Sequence, residues 1–308
     1  SYWANDLTDA ESTFVIGSTN SIVGLLIAIS APIMGAFADA GNSKKKLLII
    51  FAILGITSTG YLFFIPESSW KFAIIFYAIG VIGFSGGNIF YDSLLVSVAN
   101  DKERNRVSSL GFSLGYLGGG LLFLINVLMF SFPTYFGLNS QVEAVLWSFL
   151  SVSLWWTVFT VPLITGVQEP GYSKKNETFI VTVKAAFRSL YETGKTISQY
   201  KSAVIFLIAY FLYMDGVDTI IRMATSYGAD IGISAQSMIS ALLLTQFIGF
   251  PATLIFGRYS DRFGHKQTLS FAIIIYVGVV IFGSQMDSAA EFFVMATIIG
   301  LVQGGVQA

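Results

Sequence analysis

The chain has 308 residues, of which 54% are hydrophobic, 15% aromatic and only 11% charged, and its mean hydropathy is +0.71. A water-soluble domain carries about 25% charge, so water is excluded as the main solvent, and a net charge of -1 with a pI near 5.8 excludes the basic field that nucleic acid requires. The absence of cysteine and a single histidine, His265, leave no thiolate or His-rich ligand set, so no metal and no cofactor are expected.

In chain order, residues 1–13 open with the polar run Ser1-Tyr2-Trp3-Ala4-Asn5-Asp6, without an initiator Met or the charged and apolar regions of a signal peptide. They are read as an outer-side segment of a fragment. A hydrocarbon core about 30 Å thick needs roughly 20 helical residues, and the apolar runs predict nine such helices: 14–38, 47–65, 71–98, 107–131, 141–166, 201–226, 234–257, 268–286 and 289–308. A β-barrel would instead show alternating segments of about ten residues. The fold class is therefore an all-α, polytopic membrane protein, with a first bundle over 14–166, a linker over 167–200 and a second bundle over 201–308. Within the linker, Phe179, Val183, Ala186, Phe187, Leu190 and Ile197 recur at helical spacing among Lys184, Arg188, Glu192 and Lys195. This pattern fits an amphipathic helix on the cytoplasmic surface or a solvated connecting helix.

Orientation follows from the basic residues. Fifteen of the 17 Lys and Arg fall in the connections 39–46, 99–106, 167–201 and 258–267, which are thereby cytoplasmic; only Lys71 and Arg222 remain for the other side. A miscounted span would have mixed the two sets.

Ionisable groups inside spans cost several kcal/mol and invite a functional reading. Asp215, Asp218 and Arg222 share the sixth span at i, i+3 and i, i+4 spacings, which put them near one helical face. They are candidates to line a central cavity, Asp215 or Asp218 taking a substrate amine or a proton; the structural alternative is an ion pair with Arg222 reaching to the outer surface. Asn88 and Asp92, one turn apart in the third span, could complete a polar site, or Asp92 could pair with a loop cation. Asn126 and Gln246 are further substrate or ion candidates, although a lone amide in a bundle also serves as interhelical glue. Gly111, Gly115 and Gly119, spaced by four, predict close approach of a neighbouring helix.

The sequence also repeats itself. Gly35 and Asp39 precede Lys44, Lys45 and Lys46, while Gly257 and Asp261 precede Arg262, Gly264 and Lys266, an offset of 222 residues; Gly86-Gly87 and Gly304-Gly305 repeat at an offset of 218. Two similar offsets imply one duplicated unit. The second copy resembles the loop motif Gly-x-x-x-Asp-Arg-x-Gly-x-Lys of the major facilitator superfamily, and the first departs from it with Ala40 in place of Arg. That resemblance implies that the nine spans are helices two to ten, with helix 1 and helices 11 and 12 lacking, and that Asp39, Lys44, Lys45, Asp261, Arg262 and Lys266 act in gating. An aspartate ending one span and opposed by Arg or Lys starting the next can latch two helices by charge pairing; topology-setting charge only is the alternative for these residues.

Four segments narrow the resemblance: Ala31-Pro32 with Gly35 and Asp39; Arg106 to Gly111 with Gly115 to Gly119; Tyr213 to Thr219; and Gly300 to Ala308. Together they are similar to the vacuolar amino-acid effluxers of autophagy and their bacterial relatives, with Asp92 standing where an amide is expected. The resemblance implies a secondary-active transporter of a small solute, with amino acids the indicated class and a proton the candidate coupling ion. It further implies a monomer in a lipid bilayer, in the inner membrane of a bacterium or a vacuolar membrane if the source is fungal. The alternatives are an intramembrane enzyme, which would have to rest on an aspartyl pair such as Asp92 and Asp215, and a channel or receptor-like membrane protein, the channel needing a filter segment that the spans do not show. The expectation is that the protein is not an enzyme.

Overall fold

The computed structural model describes residues 3, 6–41, 43–168, 179–197 and 199–307. Ten α-helices follow in order: α1 (Asp9–Gly41), α2 (Lys44–Tyr61), α3 (Trp70–Val98), α4 (Arg104–Ser131), α5 (Gln141–Gly166), α6 (Phe179–Ile197), α7 (Lys201–Asp230), α8 (Ala235–Phe263), α9 (His265–Gly283) and α10 (Ala289–Gln307). No strand occurs among the described residues. All but α6 are long and apolar enough to cross a bilayer, and these nine coincide with the nine predicted spans. The protein is an integral membrane protein built of helices.

Two expected loops are shorter than the apolar pattern suggested. Of the predicted connection 258–267, only Gly264 is non-helical, at φ 90°. Arg258 to Phe263 contain no residue that breaks a helix, and Gly264 is the first that takes positive φ without a Cβ clash. Likewise Lys44 and Lys45 are not loop residues but open α2. Cations at a helix N-terminus oppose the helix dipole, so their place there reflects the sidedness requirement rather than helix stability.

Helices that begin on the expected outer side start differently. Ser140 accepts from the Glu143 amide of α5 at 3.1 Å while Glu143 takes the Asn139 amide at 2.8 Å, and Ser288 with Glu291 repeats the arrangement on α10. Thr8 and Glu11 do so on α1. Each box satisfies orphan amides and sets a carboxylate at the positive end of the dipole.

The chain forms two compact units: Ser1–Val98 with Leu128–Tyr200, and Ala99–Val127 with Lys201–Ala308. In the first, α3 and α5 pack on α2, and α6 lies along α1. Helices in lipid gain little from apolar burial and associate through close contact of small residues. Accordingly a Cβ on Gly83 would stand 2.4 Å from the Gly55 backbone nitrogen, and one on Gly55 would enter the Trp156 ring. Ser153 of α5 adds a hydrogen bond to the Ile56 carbonyl of α2 at 2.9 Å. On α6, Arg188 pairs with Glu192 at 2.8 Å, which holds the guanidinium above its ordinary value. The linker lysines Lys174 and Lys175, and the side chains of Phe179, Val183 and Ala186, lie outside the described residues.

In the second unit α10 packs on α8 and α9. The glycine pairs of the sequence repeat both meet a phenylalanine: a Cβ on Gly86 would strike Phe51, and one on Gly305 would strike Phe256. The partner helices are not equivalent, however, since Phe51 is on α2 and Phe256 on α8. The repeated sequence feature is used on different neighbours in the two units.

Gly83→Ala must displace backbone and is expected to cost about 1–3 kcal/mol, seen as a fall in thermal midpoint of the purified protein. Gly115→Ala, whose new methyl group would have nothing within 4 Å, is expected to leave the midpoint unchanged or raise it through helix propensity, by up to about 1 kcal/mol.

Candidate functional site

α7 is the most exposed of the spanning helices and carries three of the predicted site residues. Its inward face is set by Val217, with Tyr213, Met214, Ile220 and Ile221, packed against Ala272 and Tyr276 of α9 and Val302 and Val306 of α10. At about 100° per residue, Asp218 is rotated roughly 100° from that face, Arg222 roughly 140° and Asp215 roughly 160°. Arg222 Nη2 lies 3.7 Å from Asp218 Oδ2, with the two side chains 51% and 50% exposed. A pair so open contributes at most about 1 kcal/mol, which leaves Asp218 free to exchange it. Asp215 is exposed, on the side of α7 away from this unit's core.

In the first unit, Asn88 and Asp92 are one turn apart on α3 and both exposed, opposite the buried Phe90 and Leu94. Asn126 is half-buried on α4. Gln246, also half-buried, packs against α4: its Cβ would be 3.2 Å from a Cβ on Gly120.

The face by which α4 meets α8 is not the predicted one. Gly115 and Gly119 have nothing within 4 Å, whereas Ser109 sits over Gly257, Tyr116 over Gly249 and Gly120 against Gln246. Residues 109, 113, 116 and 120 form one stripe, and 115 and 119 fall roughly 130° and 90° from its centre line by helical geometry. Ser113, fully buried, donates to the Phe250 carbonyl at 2.7 Å.

At the cytoplasmic end the expected ion-pair latch is replaced by an amide. Asn105 Nδ2 of α4 donates to the Asp261 carboxylate and, at 3.0 Å, to the Gly257 carbonyl. Among the described residues Asp261 makes no salt bridge with Arg262 or Lys266; the Arg262 guanidinium lies 5.5 Å from the Phe263 ring, and Lys266 is exposed. In the first unit Lys45 Nζ donates to the Val167 carbonyl at 2.6 Å, tying the start of α2 to the end of α5. Lys44 is half-buried beside it in the chain. The Asp39 side chain lies outside the described residues. His265 has Nδ1 2.6 Å from Ser260 Oγ across the Gly264 break.

Sequence reasoning missed a second polar group set deeper in the same unit. Tyr116 donates to Gln307 Oε1 at 2.7 Å, and its ring occupies the space that Gly249 and Gly304 leave free. Tyr276 is 5% exposed, and its hydroxyl is buried without a hydrogen-bond partner among the described residues. The signal was available, because a phenol in an apolar span needs a partner, but both tyrosines read as ordinary aromatic content. A cavity of about 200 Å³ in the first unit, lined by Trp3, Leu62, Trp70, Tyr77 and Phe149, is almost wholly apolar. The Tyr77 hydroxyl in its lining is used internally, donating to Asn20 at 2.9 Å. No group of His, Cys, Asp or Glu able to hold a metal occurs among the described residues.

These features belong to helices in lipid that carry sparse polar groups, and comparison with known proteins places them. The family model described as vacuole effluxer Atg22 like matches residues 5–308. The chain belongs to the Atg22-like family. An MFS-type transporter of Bacillus subtilis (strain 168), YxiO, is 38% identical over 305 residues, covering 97% of this chain and 69% of that protein. Autophagy-related protein 22-1 of Aspergillus terreus is 22% identical, over 93% of this chain and 62% of its own length. Autophagy-related protein 22 of Pichia angusta is 21% identical, over 94% and 61%. The chain thus spans somewhat over 60% of these Atg22-like relatives. No solved structure matches it. As a member of this family it is a membrane transporter.

Asn105→Ala is expected to lower the thermal midpoint by the equivalent of about 1 kcal/mol, the net worth of the two hydrogen bonds at a partly exposed site. Asn105→Asp should lower it further by setting a second carboxylate against Asp261, and added salt should recover part of that difference.

Proposed function

We propose that this Atg22-like chain moves a small solute by secondary active transport through alternating access, with amino acids the substrate class and a proton the candidate coupling ion. The observation that carries this reading is the face of α7, where Asp215, Asp218 and Arg222 lie together on a helix otherwise apolar through its first half, and where the Asp218–Arg222 pair is long and open. A carboxylate beside a guanidinium offers complementary contacts to an ammonium and a carboxylate, the two charged ends of an amino acid. Asn88 and Asp92 on α3, and more weakly Asn126 and Gln246, supply further polar groups for the solute path. The transporter names of its relatives support a carrier rather than an enzyme or a channel.

In this reading the halves that move are those joined by the 167–200 linker, 14–166 and 201–308. By chain order α4 belongs to the first half, yet its stretch to Val127 packs with α8 and α10. Its small stripe of Ser109, Ser113 and Gly120 against Gly257 and Gly249 then serves as a surface on which one half turns, since small side chains let helices slide without interdigitating. Asp261 with Asn105, together with Arg262 and Lys266, would hold that surface at its cytoplasmic end in one state, and Asp39 with Lys44 and Lys45 would act at the corresponding turn of the other half.

Proteoliposome counterflow with radiolabelled neutral, acidic and basic amino acids tests the reading. Asp215→Asn and Asp218→Asn are each expected to slow exchange by about tenfold to a hundredfold, the loss of a charge-assisted hydrogen bond of about 1.5–3 kcal/mol. Wild-type exchange rates in both variants would dismiss the α7 site, and no exchange of any amino acid by the wild-type protein would dismiss the substrate class.

A further inference from the structure

The buried hydroxyl of Tyr276 is the least explained polar group in the second unit. It belongs to the apolar cluster of Val217, Ala272, Val302 and Val306, and no donor or acceptor among the described residues meets it. A buried hydroxyl without a partner is costly, so a hydroxyl kept in such a place usually gains a partner in another state or through a contact made elsewhere in a working cycle. The groups around it are few. From α7 come Tyr213, packed against the same cluster, and Asp218, whose carboxyl lies within electrostatic reach of Tyr276. From α4 comes Tyr116, already committed to Gln307 of α10 at 2.7 Å. From α8 comes Phe256, which offers nothing to bond.

Asp218 is adjacent in sequence to Val217, whose side chain packs in the same cluster as Tyr276, and it sits at the border between the inward and outward faces of α7. Its bond to Arg222, at 3.7 Å, is beyond good hydrogen-bond length. The carboxylate therefore has a loosely held partner on the open side and an unused donor on the buried side. A rotation of α7 about its axis exchanges one for the other, against the hydrogen bond that Tyr227, near the far end of the helix, donates to the Gly283 carbonyl of α9 at 2.6 Å.

We propose that Tyr276 is a positioning residue for Asp218, its hydroxyl donating to that carboxylate when α7 turns and Asp218 leaves Arg222. The carboxylate thus has two seats, one facing the solute path and one drawn into the unit's core. Tyr116 cannot substitute, because its proton is given to Gln307 and its ring is fixed between Gly249 and Gly304. This inference rests on the reading of Asp218 as a transport residue, and it adds the group that decides where that carboxylate points.

The test is infrared spectroscopy of the purified full chain carrying ¹³C-labelled aspartate, with the Asp218→Asn spectrum subtracted to isolate the Asp218 carboxyl bands; no ligand is needed. The wild type is expected to show two components, one for each seat, and Tyr276→Phe to show one. Tyr276→Phe should keep or raise the thermal midpoint, because it removes an unpartnered buried hydroxyl, while slowing counterflow about tenfold. A single Asp218 band, the same with and without the Tyr276 hydroxyl, overturns the proposal even if Asp218→Asn stops transport, and in that case the α7 reading survives alone. Normal counterflow in Asp218→Asn removes the α7 reading, and the infrared result then still decides whether the two side chains meet.

Discussion

Lipid offers the peptide backbone no partner, so each spanning segment must close its own N–H to C=O ladder, and only a helix does this within one segment. Everything else in this protein is arranged around that constraint. Because the surrounding hydrocarbon is as apolar as the side chains, burial alone gives two helices little reason to meet, and contact has to come from surfaces that fit closely. The close approaches of Gly83 to Gly55, Gly257 to Ser109 and Gly304 to Thr253 are where that fit is made. The large apolar residues, which would form the core of a soluble protein, are largely turned outward: Leu25, Ile29, Ile205, Phe211 and Ile274 are all exposed.

The same constraint gives the few polar side chains disproportionate weight. A hydroxyl such as Ser113 or Ser153 that finds a carbonyl on a neighbouring helix fixes the register of two spans at a single point. Helix ends show the opposing demands of topology and local stability. The starts of α1, α5 and α10 carry Ser or Thr with Glu, in keeping with the helix dipole, while α2, α4 and α7 begin on Lys or Arg against it, as the expected cytoplasmic placement of cations requires. Orientation in the membrane overrides the smaller preference of the individual helix.

Function enters where these rules are broken. α7 is stabilised less by its neighbours than any other span, and it is the one that holds two carboxylates and a guanidinium. A helix with few packing contacts can turn or shift at low cost, and charges on it change environment as it does so. The neighbouring α4, α8 and α10 form the better-packed frame, with Tyr116 held between glycines of two helices and bonded to a third residue, Gln307. A sparsely packed charged helix against a better-packed polar frame is the arrangement on which the proposed carrier function rests.

The number of spans, their limits to within a few residues and the charged face of α7 were all legible in the sequence, because each depends on a local property: apolar run length or helical spacing. The glycine echo was legible as a repeat, and so was the pairing of Asp218 with Arg222, which are one turn apart. Which face of α4 meets α8 was not, since Gly115 and Ser113 lie on opposite sides of one helix and either could have met a neighbour. Nor was the choice of Asn105 over a cation as the partner of Asp261, 156 residues away, or the isolation of the Tyr276 hydroxyl. Those depend on how separate helices are rotated against one another. A single helix's sequence presents several faces that could each pack, and only the assembled unit selects among them.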